Sequence, residues 1–339
     1  MRAVRFEGVG RIAVQELEKP APGSGDLVVR VEASGICGTD RHILRGEFSS
    51  RPPVTLGHEF SGIVEAIGPG VTRFKVGHRV TGDPNIACGL CPSCRAGHVN
   101  LCESLEAIGV TRDGGLAEYV LVPEKQALSL PADLPPLYGA FCEPLACSIH
   151  GVDIAGLRPG MSAIVLGGGV IGMLVVQLAR LAGATRTVMI TRQAAKRQLA
   201  EQLGATASAD PSAGDAVFDI CGPGGLLSGG ADVVFECAGV PDTVALAPKL
   251  ARRGGAAVIL GVLRPQDRVE IAPLELLLRE VRLLTSFLNP FTHARAADLI
   301  ATGAIDVAPL VTRQIGLEEA PGVISEPPPA GEIRAIVVP

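Results

Sequence analysis

Apolar positions follow two different rhythms along the chain. Over residues 1–150 they fall in short runs rich in Val, Ile and Leu: Leu27–Val31, Gly62–Ile67, Arg79–Gly82 and Ala117–Val122. Turn signals such as Pro22-Gly23 and Pro69-Gly70 punctuate these runs, so this half reads as mostly β. After about residue 155 strands alternate with helices. Ser162–Leu166 is a continuous apolar strand, followed by a glycine turn and a helical pattern over Val170–Ala182. Thr187–Ile190 and Ala194–Leu203 repeat the alternation, and Gly204 closes the second helix. Ala231–Phe235, Ala256–Gly261 and Leu283–Ser286 supply further strands. Such alternation predicts an α/β domain, a parallel sheet with helices on both faces. Residues 288–339 lose the rhythm and end in a strand over Glu332–Val338, and the Pro-rich Pro321–Gly331 segment predicts a surface loop. No repeat at a fixed period is present.

Composition narrows the class. A chain of 339 residues predicts two domains, and its length supports a core without disulfide staples. The 42 Gly and 26 Pro imply many turns, while a hydrophobic content of 47% excludes disorder. Aromatics at 3% and a net charge of -5 argue against a nucleic-acid partner, which needs stacking platforms or a basic footprint. The apolar run Ala163–Val176 holds four glycines and is too short to span a bilayer, and residues 1–20 lack a secretory core. A cytoplasmic protein without a membrane partner is expected. Four of the nine cysteines share one short window, which in that compartment reads as metal ligation.

That window places Cys88, Cys91, Cys94 and Cys102 at C-x2-C-x2-C-x7-C spacing. Four thiolates at this pitch can close a tetrahedron around Zn²⁺ with no open position, so the site is expected to be structural. Unligated or redox thiols, or an iron–sulfur cluster, are the alternatives. His98 in the same loop reads as a surface residue. A second group is more dispersed: Cys37 in Gly35–His42, Gly57-His58-Glu59, and Cys142-Glu143-Pro144. Together they offer the thiolate, imidazole and carboxylate mix of a catalytic zinc that keeps a position for substrate.

In these motifs, in the Gly167–Gly172 turn and in Glu236-Cys237-Ala238-Gly239, the chain resembles the zinc-dependent medium-chain alcohol and polyol dehydrogenases, in particular the sorbitol and threonine dehydrogenase branch. The resemblance covers nearly the whole length. It implies a GroES-like catalytic domain over residues 1–150 and 288–339, carrying the 88–102 lobe, and a Rossmann domain over 151–287, with the active site in the cleft between them. It implies that Cys37 and His58 ligate the catalytic zinc, with Glu59 the adjacent exchangeable carboxylate and Glu143 where ethanol-type members carry a third Cys. Cys147, four residues on, is expected to be a buried small residue. It further implies that the Thr39 hydroxyl bonds the substrate alcohol and that His42 passes its proton towards solvent; a helix N-cap for Thr39 and a solvated position for His42 are the plainer readings. Asp40 reads as local capping.

Gly167, Gly169 and Gly172 form G-x-G-x-x-G after a strand and before a helix. The first allows the turn, the second the approach of a pyrophosphate, and the third close strand–helix packing; Val170 and Ile171 open the helix whose free N–H groups face the phosphate. No Asp or Glu lies between Gly183 and Ala200. Thr191 occupies the slot of the ribose-binding acid, with Arg192, Lys196 and Arg197 nearby to take a 2′-phosphate. NADP(H) is therefore expected over NAD(H), unless these cations are simply a solvated helix face. The family pattern adds Cys237, Gly261, Ser286 and Phe287 to the cofactor contacts.

The expected function is zinc-dependent interconversion of a secondary alcohol or polyol and its ketone, by a homo-oligomer (dimer or tetramer) with two zinc ions per chain. The alternatives are an NAD-dependent sorbitol- or threonine-type dehydrogenase and a noncatalytic zinc-stabilised nucleotide-binding protein. Ile43, Phe48, Leu288 and Phe291 are expected to line a pocket less polar than that of sorbitol dehydrogenases.

Overall fold

The computed structural model describes all 339 residues, which form two compact units: Met1–Ala146 with Pro290–Pro339, and Cys147–Asn289. The chain passes from the first to the second inside the Cys142–Ala155 helix.

In the first unit the long strand Asp26–Gly35 organises a seven-stranded sheet. It pairs antiparallel with Glu59–Ile67, Tyr119–Pro123 and Arg334–Val337. Two apolar clusters pack in this unit. Leu27, Val29, Phe60, Val64, Phe74 and Val120 fill one. Val4, Phe6, Ile36, Leu56, Leu116 and Val337 belong to the other. Burying such side chains contributes ~1.5–3 kcal/mol each. One consequence of register matters for chemistry: Gly35 pairs with Glu59 on one side and Ile336 on the other. The end of the long strand, the start of its neighbour and the C-terminal strand therefore meet where the chain turns into Cys37.

The second unit holds six parallel strands in the order Ala207–Ala209, Arg186–Ile190, Ser162–Leu166, Ala231–Glu236, Ala251–Ile259, Arg282–Thr285. Strand order reverses between Ser162–Leu166 and Ala231–Glu236, and in open α/β sheets ligands bind at the carboxyl ends of strands beside such a switch. Ile164, Leu166, Val188, Ile190, Val234 and Ala257 are buried in its core.

Two details depart from the pattern reading. Pro321–Gly331 is not all loop: Ala320–Ser325 is helical. Pro321 stands at the helix start, where its missing N–H costs nothing, and Val323 and Ile324 are buried. The edge strand Ala207–Ala209 is too short and too small in side chain to be seen as a hydrophobic run.

Candidate active site

The Gly38–Leu44 helix begins at Cys37, whose extended backbone makes it the N-cap. Thr39 is therefore a helical residue, not the cap. The Cys37 N–H donates to Asp40 Oδ2 at 2.8 Å, the reciprocal half of a capping box. Asp40 is fully buried, and its other oxygen lies 3.7 Å from His58 Nδ1. One carboxylate thus caps the helix and faces the imidazole. Burial pushes the Asp40 carboxyl up from its usual range, opposed by the attraction of His58. Burial also disfavours a charged His58, but Cys37 and Asp40 outweigh it and hold the imidazole well above its ordinary value.

Cys37, His58 and Glu59 converge, with their ligand atoms within 4.8 Å of one another. Glu59 is buried, and its Oε1 lies 3.0 Å from Arg334 Nη2. Its Oε2 packs so tightly over Gly35 that a Cβ there would approach to 2.2 Å. Glu59 Oε2 and His58 Nδ1 make no hydrogen bond, and Glu59 Oε1 has the Arg334 guanidinium as its ion partner. Buried polar groups without partners are costly, and a soft-and-hard donor set of S, N and O around one point fits zinc. Glu143 is buried at the first turn of the Cys142–Ala155 helix and lies outside this compact set, though its charge reaches both His58 and Arg334. Beside the cluster, the Cys37 thiol donates to Thr39 Oγ1 at 3.6 Å, and His42 Nδ1 lies 2.7 Å from Glu47 Oε2.

Cys88, Cys91, Cys94 and Cys102 form the second cluster, again with all four sulfurs within 4.8 Å, and none is in a disulfide. The Leu90 and Cys91 N–H groups donate to Cys88 Sγ at 3.4 Å, and the Cys88 N–H donates to Cys102 Sγ at 3.3 Å. The Leu90 and Cys91 N–H groups, with the Cys102 thiol, pull the Cys88 thiol down to about 6, whereas burial and the Cys91 thiol push Cys94 up to about 12. A loop that aims backbone N–H groups at sulfur stabilises thiolates, the form a metal requires. His98 is exposed.

In the second unit the expected cofactor residues follow the carboxyl ends of adjacent strands: Gly167 after Leu166, Thr191 after Ile190, Cys237 after Glu236, Gly261 beyond Ile259, and Ser286 and Phe287 after Thr285. Gly167 takes φ of 107°, and a Cβ on Gly172 would meet Gly167 O at 1.9 Å, so the turn requires glycine at both. Gly169 caps the Val170–Leu181 helix, and a Cβ there would meet nothing within 4 Å, which leaves room at the helix N-terminus beside Val170 and Ile171. A Cβ on Gly168 would lie 3.0 Å from Thr191 Oγ1 and 3.2 Å from Lys196 Cβ, so both residues border the turn. Arg192 is exposed. Arg197 differs from expectation: its Nη1 donates to Thr191 O at 2.7 Å, Arg192 O at 2.8 Å and Asp210 Oδ2 at 2.9 Å. This guanidinium holds the turn's backbone.

Alcohol dehydrogenase GroES-like and zinc-binding dehydrogenase family models match residues 23–132 and 170–302. Sorbitol dehydrogenase 1 of Saccharomyces cerevisiae is 35% identical over 94% of this chain and 92% of its own length. The chain belongs to the zinc-dependent medium-chain alcohol and polyol dehydrogenases. L-threonine 3-dehydrogenase of Bacillus subtilis is 33% identical over 93% of this chain and 92% of its own. A solved structure from Sinorhizobium meliloti 1021, described as a zinc-binding dehydrogenase bound to NADP, is 60% identical with a TM-score of 0.98 and covers 100% and 99% of the two chains. The dehydrogenase is thus an oxidoreductase of alcohols and ketones with the family's GroES-like and Rossmann folds, and a noncatalytic reading is not favoured. No helix is long and apolar enough to cross a membrane.

Pattern reading missed Arg334 and the second role of Asp40. Arg334 stands 275 positions beyond Glu59, so no spacing could link them; the capping spacing of Asp40 was visible but not its other oxygen. Ile43, expected to line a pocket, is 1% exposed within the apolar core, and Cys147 is half-buried rather than buried. Phe48 packs against the core, while Leu288 is half-buried and Phe291 exposed.

Proposed function

We propose that this dehydrogenase interconverts a secondary alcohol or polyol and its ketone with NADP(H), using two zinc ions per chain. The observation that carries the reading is the convergence of Cys37, His58 and Glu59 beside the Thr39 hydroxyl. Cys37, His58 and Glu59 would hold a zinc ion that would supply Lewis-acid polarisation of the substrate oxygen, and a bound nicotinamide would supply the hydride chemistry. Glu59 would supply a carboxylate ligand, and Glu143 stands as a second buried carboxylate whose charge reaches His58. Asp40 faces the imidazole of His58 and acts on it through its charge. The Thr39 hydroxyl accepts the proton of the substrate alcohol as it gives up its own, and His42 carries a proton onward to solvent. The four-cysteine lobe holds the structural ion.

NADP over NAD is supported by Thr191, a neutral donor, bordering the glycine turn where an acid would repel a 2′-phosphate, and by Arg192 and Lys196 nearby. The NADP described in the 60%-identical structure supports the same choice. In this reading Met1–Ala146 with Pro290–Pro339 carries both metal sites, and Cys147–Asn289 the cofactor site. Leu274, Leu277 and Leu278, exposed together on the Pro273–Arg279 helix, support a homo-oligomer, which we place in the cytoplasm as a tetramer.

The test is the absorbance of reduced nicotinamide during incubation with a panel of secondary alcohols, polyols and ketones, each with NADP(H) and NAD(H). Turnover with NADP(H) is expected. NAD(H)-only turnover overturns the cofactor assignment, and cofactor binding without turnover of any member overturns the catalytic one.

A further inference from the structure

The Gly38–Leu44 helix ends in a Schellman turn. Arg45 is its C-cap and Gly46 takes φ of 74°; the Gly46 N–H donates to Ile43 O at 3.0 Å and the Glu47 N–H to His42 O at 2.8 Å. This turn folds the residue after the glycine back over the helical residue whose carbonyl it bonds, and that side-chain pair is usually apolar. Here the pair is Glu47 and His42, with Glu47 Oε2 2.7 Å from His42 Nδ1 and the side chains 18% and 20% exposed. The cations of the same helix do not compete for Glu47. Arg41 is bound to the carbonyl of Glu326 and faces Glu332, and no ion pair joins Arg45 to Glu47.

We infer that Glu47 is a positioning residue of the proton path, acting through His42. The inference rests on the reading of His42 as the group that carries the proton to solvent. An ionised carboxylate only accepts hydrogen bonds, so its partner nitrogen Nδ1 must carry the hydrogen. In the neutral ring the lone pair then sits on Nε2, the end not held by Glu47. His42 lies three residues after Thr39, on the same helix face. In alcohol oxidation one proton arrives at Nε2 and one leaves Nε2 for water, while the Nδ1–H stays on Glu47. Only O–H and N–H bonds form and break, and no further co-reactant is required. Without Glu47 the ring turns freely and the hydrogen distributes between both nitrogens, so a fraction of the enzyme presents a donor where an acceptor is needed.

The experiment uses the zinc-loaded enzyme with an alcohol identified by the panel above, in four forms: wild type, Glu47→Ala, His42→Ala and the double variant. Glu47→Ala is expected to lower kcat for oxidation about tenfold, within the range of acid–base contributions, with KM for the alcohol unchanged. Added imidazole buffer should restore most of the loss. In the His42→Ala background Glu47→Ala should change kcat no further. Glu47→Gln, whose amide can offer either its carbonyl or its NH₂ to the ring, should fall between. ¹⁵N spectra should show His42 protonated at Nδ1 in wild type and as a tautomer mixture in Glu47→Ala. An unchanged kcat in Glu47→Ala, or an equal loss in both backgrounds, overturns the assignment of Glu47 while leaving the relay reading in place if His42→Ala is impaired. A His42→Ala variant with wild-type turnover overturns both.

Discussion

Arg334 reaches Glu59 from the C-terminal strand, Nη2 to Oε1 at 3.0 Å, with both side chains buried. A second guanidinium nitrogen donates to the carbonyl of Ile36, one residue before Cys37. The arginine therefore braces two segments of the candidate metal cluster at once.

Removing one partner of a buried pair leaves the other uncompensated. Arg334→Leu is expected to lower unfolding free energy by about 3–5 kcal/mol, read from denaturant midpoints. A loss below about 1 kcal/mol would show that Glu59 is balanced without it.

Metal content should be close to two zinc ions per chain by elemental analysis, and Cys91→Ser should lower both that ratio and the thermal midpoint. Binding at a closed four-thiolate site is coupled to folding, so its loss registers as instability. A ratio near one that Cys88→Ser leaves unchanged would remove the structural site.

Cys37→Ser and Glu59→Gln should abolish most turnover while the circular dichroism spectrum is retained. Glu143→Ala should also lower turnover, and because Glu143 lies outside the compact ligand set it should keep more bound zinc than Glu59→Gln. Normal turnover in Cys37→Ser contradicts the cluster as the reaction centre.

Cofactor preference should respond to two different kinds of residue. Thr191→Asp with Arg192→Leu should reverse it towards NAD in kcat/KM, because a charge-assisted phosphate contact contributes about 1.5–3 kcal/mol, or roughly 10- to 150-fold. Arg197→Leu should instead weaken both cofactors, since its contacts go to the Thr191 and Arg192 carbonyls and Asp210. Selective loss of NADP in Arg197→Leu would mean that it grips the phosphate after all.

His293 gives a pH signature. Burial pushes its imidazole down to about 3, so the folded chain keeps it neutral while the unfolded chain takes up a proton below about 6.5. Its contribution is complete above that pH and is lost as pH falls towards 3, at about 1.4 kcal/mol per unit. The stability difference between wild type and His293→Leu should shift by about 2 kcal/mol against wild type from pH 7 to 5, measured by urea unfolding. A difference that does not change with pH contradicts a neutral buried ring.

Local patterns were legible wherever a residue's role is set by its near neighbours. The Ser162–Leu166 strand, the glycine turn and the Val170–Leu181 helix follow from hydrophobic period and from backbone space that only glycine leaves. The Cys88–Cys102 cluster follows from loop length, because four sulfurs within one short window need no distant strand to meet. The sequence by itself thus determined the two fold types, the four-cysteine cluster and the glycine turn. The tertiary structure alone decided that Glu59 joins the compact ligand set and Glu143 does not, that Arg334 braces it, that Arg197 serves the backbone, and that Glu47 meets His42. Each of those outcomes depends on strand register or on the direction a side chain takes after a turn. A one-residue change in either would redirect the group to another partner, and residue spacing does not record it.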